Sequence, residues 1–333
     1  MTVFNWPKNV SEQDRAAVAR AIAFFQDGYE IHVTRVEAGG YKRYLGDESQ
    51  ICRFCQRTKP AVTFKKNAHA ISELLGNGVL LTKSECDECN ARFGLLEADL
   101  GAFTLAERLA GQVLGKKGVP SAKTTAGFSR IDFKHDQGYV IENNIGDPIA
   151  ELDAKAKTLK IKGRPQGYRP LAVFKAFTKM AVTLLADEDL PNVSRALRWL
   201  RADGLTIDQI DDGTRYTCIK GYTPGLSPFR QTQVLILKRK RADVLGPGII
   251  FVVMFGGTSY QIIVPSPELD ARLIGKTITY SSVPLYPFID QDAVMGLTRQ
   301  SRVSLASPDL ARTAAEVLFN FGSIEPGDAG AES

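Results

Sequence analysis

Two Cys-x2-Cys pairs constrain this chain more than any other feature of its sequence. Cys52 and Cys55 form the first pair, and Cys86 and Cys89 form the second after an interval of thirty residues. Two such pairs supply the four thiolates of a tetrahedral zinc site. The N-terminus lacks a signal-peptide pattern, so we expect a reducing cytoplasm, where such pairs bind metal more readily than they form disulfides. We therefore predict one structural zinc ion held by these four cysteines.

Length and charge set the broad class of protein. The 333 residues are enough for two domains, and no segment approaches the roughly 20 apolar residues of a membrane span. The net charge is only +5, but residues 104–183 contain 14 Lys and Arg against 7 Asp and Glu. This local excess of positive charge indicates a polyanionic partner, with a solvated basic surface as the alternative.

Hydrophobic periodicity predicts the helices and strands. Helices are predicted from a capping box at Ser11 to about residue 26, and at about 90–105, 169–186, 189–203 and 307–320. Strands are predicted at 29–36, 128–133, 138–142, 149–152, 157–162, 214–220, 232–239, 248–256, 259–264 and 276–282. The chain thereby divides into an N-terminal helix and strand (1–49), a cysteine module (50–113), a basic linker (114–126), an α/β domain (127–325) and a polar tail (326–333).

Polar residues stand at regular positions within the cysteine module. His69 is one of three histidines in the chain, Asn77 lies in the loop that follows it, and Asn90 directly follows the last cysteine. Asn90, Gly94 and Glu97 are spaced at i, i+4 and i+7, so they share one face of the helix predicted there. The glycine leaves room beside the two polar side chains.

This constellation resembles the HNH endonuclease family, in its version whose ββα-metal core carries a zinc ion. The resemblance covers roughly residues 50–103. It implies that His69 is the general base for hydrolysis of a phosphodiester, that Asn90 and Glu97 hold a catalytic Mg²⁺ or Mn²⁺, and that Asn77 holds the histidine strand in place. A neutral imidazole suits that role near pH 7. The alternatives are a packed strand histidine, a helix-capping Asn90 and a solvated Glu97.

One position departs from the family pattern. Many members place an acidic residue just before the histidine, where it ligates the catalytic ion, whereas this chain has Asn67 and Ala68 there. Magnesium sites normally require a carboxylate. The candidates to replace it are Glu97 first, and then, in no fixed order, Glu73, Asp87 and Asp99. The remaining alternatives are weak binding of the ion or loss of catalysis.

Basic residues outside the cysteine module are the candidates for contacts with nucleic acid. They are Lys116, Lys117 and Lys123 in the linker and the run Lys238, Arg239, Lys240 and Arg241 at the end of a predicted strand. Lys and Arg side chains neutralise phosphates without reading sequence. The expected partner is DNA, with RNA left open.

The sequence thus predicts an α+β protein, with an N-terminal zinc-bound ββα-metal module followed by a mixed α/β C-terminal domain. Its expected activity is metal-dependent cleavage of DNA. A cutting module joined to a second domain is also the arrangement of bacterial defence nucleases. Two alternatives stay open: a non-catalytic zinc module that binds nucleic acid or protein, and a nuclease gated by a small ligand in the C-terminal domain.

Overall fold

Helices and strands follow one another along the chain in an α+β fold. The computed structural model describes residues 10–36, 40–207, 216–225, 228–271, 283–287 and 297–323. The α-helices in these ranges are α1 (Glu12–Gly28), α2 (Asp87–Phe103), α3 (Leu105–Ala110), α4 (Pro170–Leu184), α5 (Ser194–Arg201) and α6 (Pro267–Asp270). Short 3-10 helices cover Glu73–Leu75 and Asp187–Val193. No helix in the described ranges is long and apolar enough to cross a membrane.

Strands in the described ranges form one large sheet and several small ones. In chain order they are β1 (Tyr29–Val36), β2 (Arg43–Leu45), β3 (Ala68–His69), β4 (Leu80–Thr82), β5 (Ala122–Lys123), β6 (Arg130–Lys134), β7 (Gly138–Glu142), β8 (Ala150–Asp153), β9 (Thr158–Tyr168), β10 (Thr217–Tyr222), β11 (Phe229–Arg239), β12 (Ile249–Gly256), β13 (Thr258–Ile263), β14 (Arg299–Ser304) and β15 (Ala311–Asn320). The large sheet has the order β1-β11-β12-β13-β10-β14. The small sheets are β15-β9-β8, β2-β4-β3 and β5-β6-β7.

The N-terminal elements belong to the large sheet. Helix α1 begins at Ser11, whose side chain accepts a hydrogen bond from the backbone N–H of Asp14, as the capping-box pattern predicts. Strand β1 follows directly and pairs antiparallel with β11 along its whole length. Residues 29–36 are therefore fixed to a strand that lies some two hundred residues further on.

Helix α4 lies at the centre of the molecule. Every residue from Pro170 to Thr183 is buried, which fits a helix that is apolar on nearly all sides. Phe177 packs against Tyr260 and Phe251 of the large sheet, with ring centroids 5.5 and 6.5 Å away. The same core cluster includes Phe54 and Phe93 of the cysteine segment. The cysteine segment and the C-terminal sheet thus share one hydrophobic core.

Most predicted elements are found in the structure, with one clear error. The helix predicted at 189–203 is a 3-10 helix followed by α5, and strands β2, β4, β5 and β14 were not predicted. The strands predicted at 29–36 and 138–142 are confirmed at those limits, and the helix predicted at 90–105 is α2. The helix predicted at 307–320 is wrong, because residues 311–320 form β15, which pairs antiparallel with β9. Ala315 is buried and Val317 and Phe319 pack against a core cluster, so alternate residues face inward and strand pairing overrides the helical propensity of the segment. The strand predicted at 276–282 lies outside the described residues.

Candidate metal centre and adjoining cleft

The four paired cysteines converge on one point. Their sulfur atoms all lie within 4.8 Å of one another, which is close enough to bind a single metal ion. Cys52 and Cys55 come from the loop after β2, Cys86 caps the N-terminus of α2, and Cys89 lies in its first turn. No other group of three or more His, Cys, Asp or Glu residues in the described part of the chain brings ligand atoms this close.

The thiols of the cysteine cluster differ in acidity: the pKa of Cys52 is lowered, whereas burial raises the pKa of Cys86 and the contact with the Cys52 sulfur raises the pKa of Cys89. The thiol of Cys89 and backbone N–H groups that include that of Cys86 lower the pKa of Cys52 to about 4, against the opposing effect of burial. The Cys86 N–H lies 3.5 Å from the Cys52 sulfur. A thiolate is the form of cysteine that ligates metals. The residues present therefore fit a metal ion with a preference for sulfur.

A cleft of about 200 Å³ lies on the other side of the N-terminal half of α2. Strand β3 and its antiparallel partner β4 precede α2, so the three elements form a ββα unit. Residues from this unit and from α4 line the cleft together. The polar lining residues are Asn67, His69, Ser72, Glu73, Asn90, Glu97, Lys116 and Lys179. The structure therefore brings three of the four residues predicted as catalytic, His69, Asn90 and Glu97, to one concave surface.

The imidazole of His69 is held in its neutral form. Burial lowers its pKa below the ordinary value of 6.5, the carboxylates of Glu73 and Glu97 oppose that shift, and the ammonium group of Lys179 adds to it. The Nε2 atom lies 3.7 Å from Glu73 Oε2. The Nδ1 atom is buried and has no hydrogen bond of ordinary geometry. The nearby backbone of Asn77 acts to raise the pKa of the ring, but less strongly than burial lowers it. Nε2 is thus the nitrogen available to the cleft.

Asn77, the fourth of these residues, does not line the cleft but organises the loop between β3 and β4. Its buried side-chain amide donates to the carbonyls of Ile71 and Leu80 at 2.6 and 2.8 Å. Its side-chain oxygen accepts from the N–H groups of Val79 and Leu80. Gly76, with φ of +88°, makes the tight turn just before it. Asn77 therefore fixes the chain on both sides of the turn and so fixes the position of β3.

The carboxylates weighed as ion ligands fall into two groups. Glu73 and Glu97 line the cleft, whereas Asp87 and Asp99 have other partners. Asp87 accepts from Thr63 and from two backbone N–H groups. Asp99 is bound to the guanidinium and backbone N–H of Arg169. Two acidic side chains therefore remain where they could meet a hard cation.

Lys179 lines the cleft, although sequence reasoning did not include it among the site residues. Lys179 of α4 is almost fully buried and donates to the backbone carbonyl of His69 at 2.9 Å. It also lies 2.8 Å from the carboxylate of Glu85, whose pKa burial raises. The available signal was the presence of two lysines, Lys175 and Lys179, in an otherwise apolar helix, because a buried lysine needs a partner. A residue of the C-terminal half thus holds the strand of the candidate base.

Two further polar contacts fasten α4 to the cysteine segment. Asp99 binds Arg169 at the N-terminal end of α4. Arg53, inside the first Cys-x2-Cys pair, is buried and donates to three carbonyls at the C-terminal end, those of Val182, Thr183 and Leu185. The last carbonyls of a helix have no partner within it, so Arg53 supplies one from outside. Helix α4 is therefore held at both ends and in its middle.

The basic residues predicted to contact nucleic acid lie in different places. Lys116 lines the cleft, Lys117 is its exposed neighbour, and Lys123 is exposed on β5. In the 238–241 run each side chain already has a partner within the protein. Lys238 pairs with Asp189, Arg239 with Asp270, Lys240 with the carbonyl of Gln26, and Arg241 with Asp243. None of these four lines the cleft.

Comparison with known proteins does not indicate a function, so we infer the function from the site. No family model, no curated protein and no solved structure matches the chain.

Proposed function

We propose that the protein is a divalent-metal-dependent endonuclease of the HNH type, which hydrolyses phosphodiester bonds of DNA. The observation that carries this proposal is the cleft beside α2. It collects a neutral histidine, two carboxylates and an asparagine from a ββα unit that adjoins a four-cysteine cluster. An imidazole that is neutral at pH 7 and faces a polar cleft is suited to accept a proton from water.

His69 is the general base in this proposal. Its Nε2 accepts the proton of the water that attacks the phosphorus atom. The lowered pKa favours the neutral imidazole, in which one ring nitrogen has no proton, and the role of base requires that nitrogen to be Nε2 while Nδ1 carries the proton. Asn77 and Lys179 hold the strand from which His69 projects, the first through the turn and the second through the His69 carbonyl. These two contacts hold the backbone of the strand that carries the base.

Glu97, Asn90 and Glu73 are the residues that would hold the catalytic Mg²⁺ or Mn²⁺. Magnesium keeps several of its waters and is commonly held by one or two carboxylates together with substrate phosphates, so this small donor set fits it. When bound, such an ion stabilises negative charge on the phosphate and on the departing oxygen. The four cysteines would hold zinc in a purely structural site, because four thiolates leave no open position for water.

Plasmid cleavage tests the proposal directly. The wild-type protein should nick or linearise supercoiled DNA with Mg²⁺ or Mn²⁺ and stop when EDTA is added. His69→Ala should lower the rate by about 10²–10⁴-fold, which is the usual contribution of a general base, and should keep its zinc. His32→Ala is the matched control, since His32 is an exposed histidine on β1. Cleavage by His69→Ala at the wild-type rate would remove the base from the mechanism.

One observation favours a non-catalytic zinc module that binds nucleic acid. In the described part of the chain, no three His, Asp or Glu side chains of the cleft bring their ligand atoms close enough together to form a metal site. That alternative predicts zinc-loaded protein that binds DNA and cleaves nothing with either ion. Cleavage that begins only when a nucleotide or cell extract is added would instead indicate a ligand-gated nuclease.

A further inference from the structure

A second concave site lies on the opposite flank of α2 from the cleft. It has a volume of about 410 Å³ and is lined by Cys55, Arg57, Glu88, Cys89, Arg92, Arg198, Arg201 and Ala202. Four of these eight residues are arginines, contributed by the first cysteine loop, by α2 and by α5. We call this site the arginine pocket. Clustered arginines around a concavity are suited to bind phosphate, because the guanidinium group can bind it in a bidentate manner.

Two of the four arginines already have partners. Arg57 forms an ion pair with Glu88 and a hydrogen bond to the Cys55 sulfur. Arg92 donates to the backbone carbonyl of Arg201 and lies 3.4 Å from the carboxylate of Asp203. These contacts join α2 to the first cysteine loop and to the end of α5. Arg57 and Arg92 therefore have structural roles.

The other two, Arg198 and Arg201, are not used in this way. No described residue forms a hydrogen bond or an ion pair with either side chain. Both lie in the last turn of α5, and both line the pocket. Arginine side chains that converge without an acidic partner are available for an external anion.

The geometry of α2 relates the arginine pocket to the cleft. Asn90 and Glu97 lie on one flank of the helix, and Glu88 and Arg92, spaced at i and i+4, lie on the other. The crest between them is exposed and uncharged, formed by Ala91, Leu95 and Ala98. A helix about 10–12 Å across can enter a DNA groove about 12 Å wide, where it has a phosphate strand on each side.

From this arrangement we infer that Arg198 and Arg201 bind backbone phosphate of duplex DNA on the flank of α2 opposite the cleft. The inference rests on the proposed function, because it takes the duplex to be the ligand of the cleft. It adds a second anchoring point, which is built from the C-terminal half of the chain. Phosphate contacts of this kind fix the register of the duplex without selecting its sequence.

The test measures binding by fluorescence anisotropy without added Mg²⁺ or Mn²⁺, on a short labelled duplex and in the His69→Ala background, so that no cleavage occurs. Arg198→Gln with Arg201→Gln should weaken binding and reduce the slope of log affinity against log salt by about 1.8, since each lost phosphate contact removes about 0.9. Arg198→Lys with Arg201→Lys should keep most of the slope. Arg164→Gln with Arg312→Gln is the matched control, because it removes two exposed arginines of β9 and β15.

A competing role for Arg198 and Arg201 is to offset the charge of the metal-bound thiolates. It predicts the opposite result, in which the glutamine variant loses zinc affinity and keeps the duplex affinity and slope of the wild type. That result would overturn the inference, as would a slope lowered equally by the control variant. The outcome is independent of catalysis, because wild-type cleavage is scored separately in the plasmid assay.

Discussion

Replacing Arg53 with methionine tests whether the cysteine segment and α4 form one folding unit. The guanidinium group of Arg53 donates to three backbone carbonyls at the end of α4, and all three belong to buried residues. Methionine keeps most of the packing of the side-chain stem and removes every donor. Each buried polar group left without a partner costs about 1–3 kcal/mol, and water reaching the site through the exposed Asp187 would relieve part of that cost. We expect a loss of about 3–5 kcal/mol in the free energy of unfolding.

Chemical denaturation at a fixed, saturating zinc concentration measures this loss, and elemental analysis of the same samples checks that zinc stays bound. Arg57→Met is the matched control, since Arg57 is the other arginine of the first cysteine loop and its ion pair with Glu88 is exposed. Exposed pairs contribute at most about 1 kcal/mol. Equal effects of the two substitutions would refute the reasoning, because the buried carbonyls would then have found other donors.

Four further outcomes follow from the site. Cys86→Ser should abolish zinc binding and unfold the cysteine segment, as seen by elemental analysis and circular dichroism. Because burial lowers the pKa of His69, kcat/KM should rise with pH through an inflection below 6.5; an inflection above 6.5 would contradict this. Glu97→Gln should raise the Mg²⁺ concentration for half-maximal cleavage by about tenfold, and Asn67→Asp, which adds a carboxylate to the cleft lining, should lower it. Asn77→Ala should slow cleavage at unchanged zinc content, since the turn loses four hydrogen bonds.

The sequence predicted those parts of the site that depend on the spacing of neighbouring residues. The two cysteine pairs come together because one pair lies in a loop and the other opens a helix. Asn90 and Glu97 share a face of α2 because a helix repeats every 3.6 residues. The resemblance to HNH endonucleases led us to expect a carboxylate just before His69, and the structure shows that Ala68 there is fully buried while Asn67 lines the cleft. A strand alternates its side chains, so only one of two neighbours can face the site.

The sequence alone did not predict contacts between segments that are far apart along the chain. Nothing near Arg53 indicates that its partners are the carbonyls of residues 182–185, and the partner of Lys179 is a backbone carbonyl that carries no residue identity. The error over 311–320 has the same origin, because its helical propensity is local and its pairing with β9 is not. Lys238 and Arg239 look free in sequence because their acidic partners, Asp189 and Asp270, are distant along the chain.

Because α4 forms part of the cleft wall, the cleft is completed only after α4 has been synthesised. A ribosome synthesises both cysteine pairs and His69 well before residues 170–184, so an unfinished chain holds the candidate catalytic groups without the helix that completes their surroundings. Until Lys179 emerges, the carbonyl of His69 lacks its donor and the cleft lacks a wall. If the cleft cuts DNA, a chain that ends before α4 therefore lacks a complete cleft, and activity begins only after residues 170–184 have been synthesised.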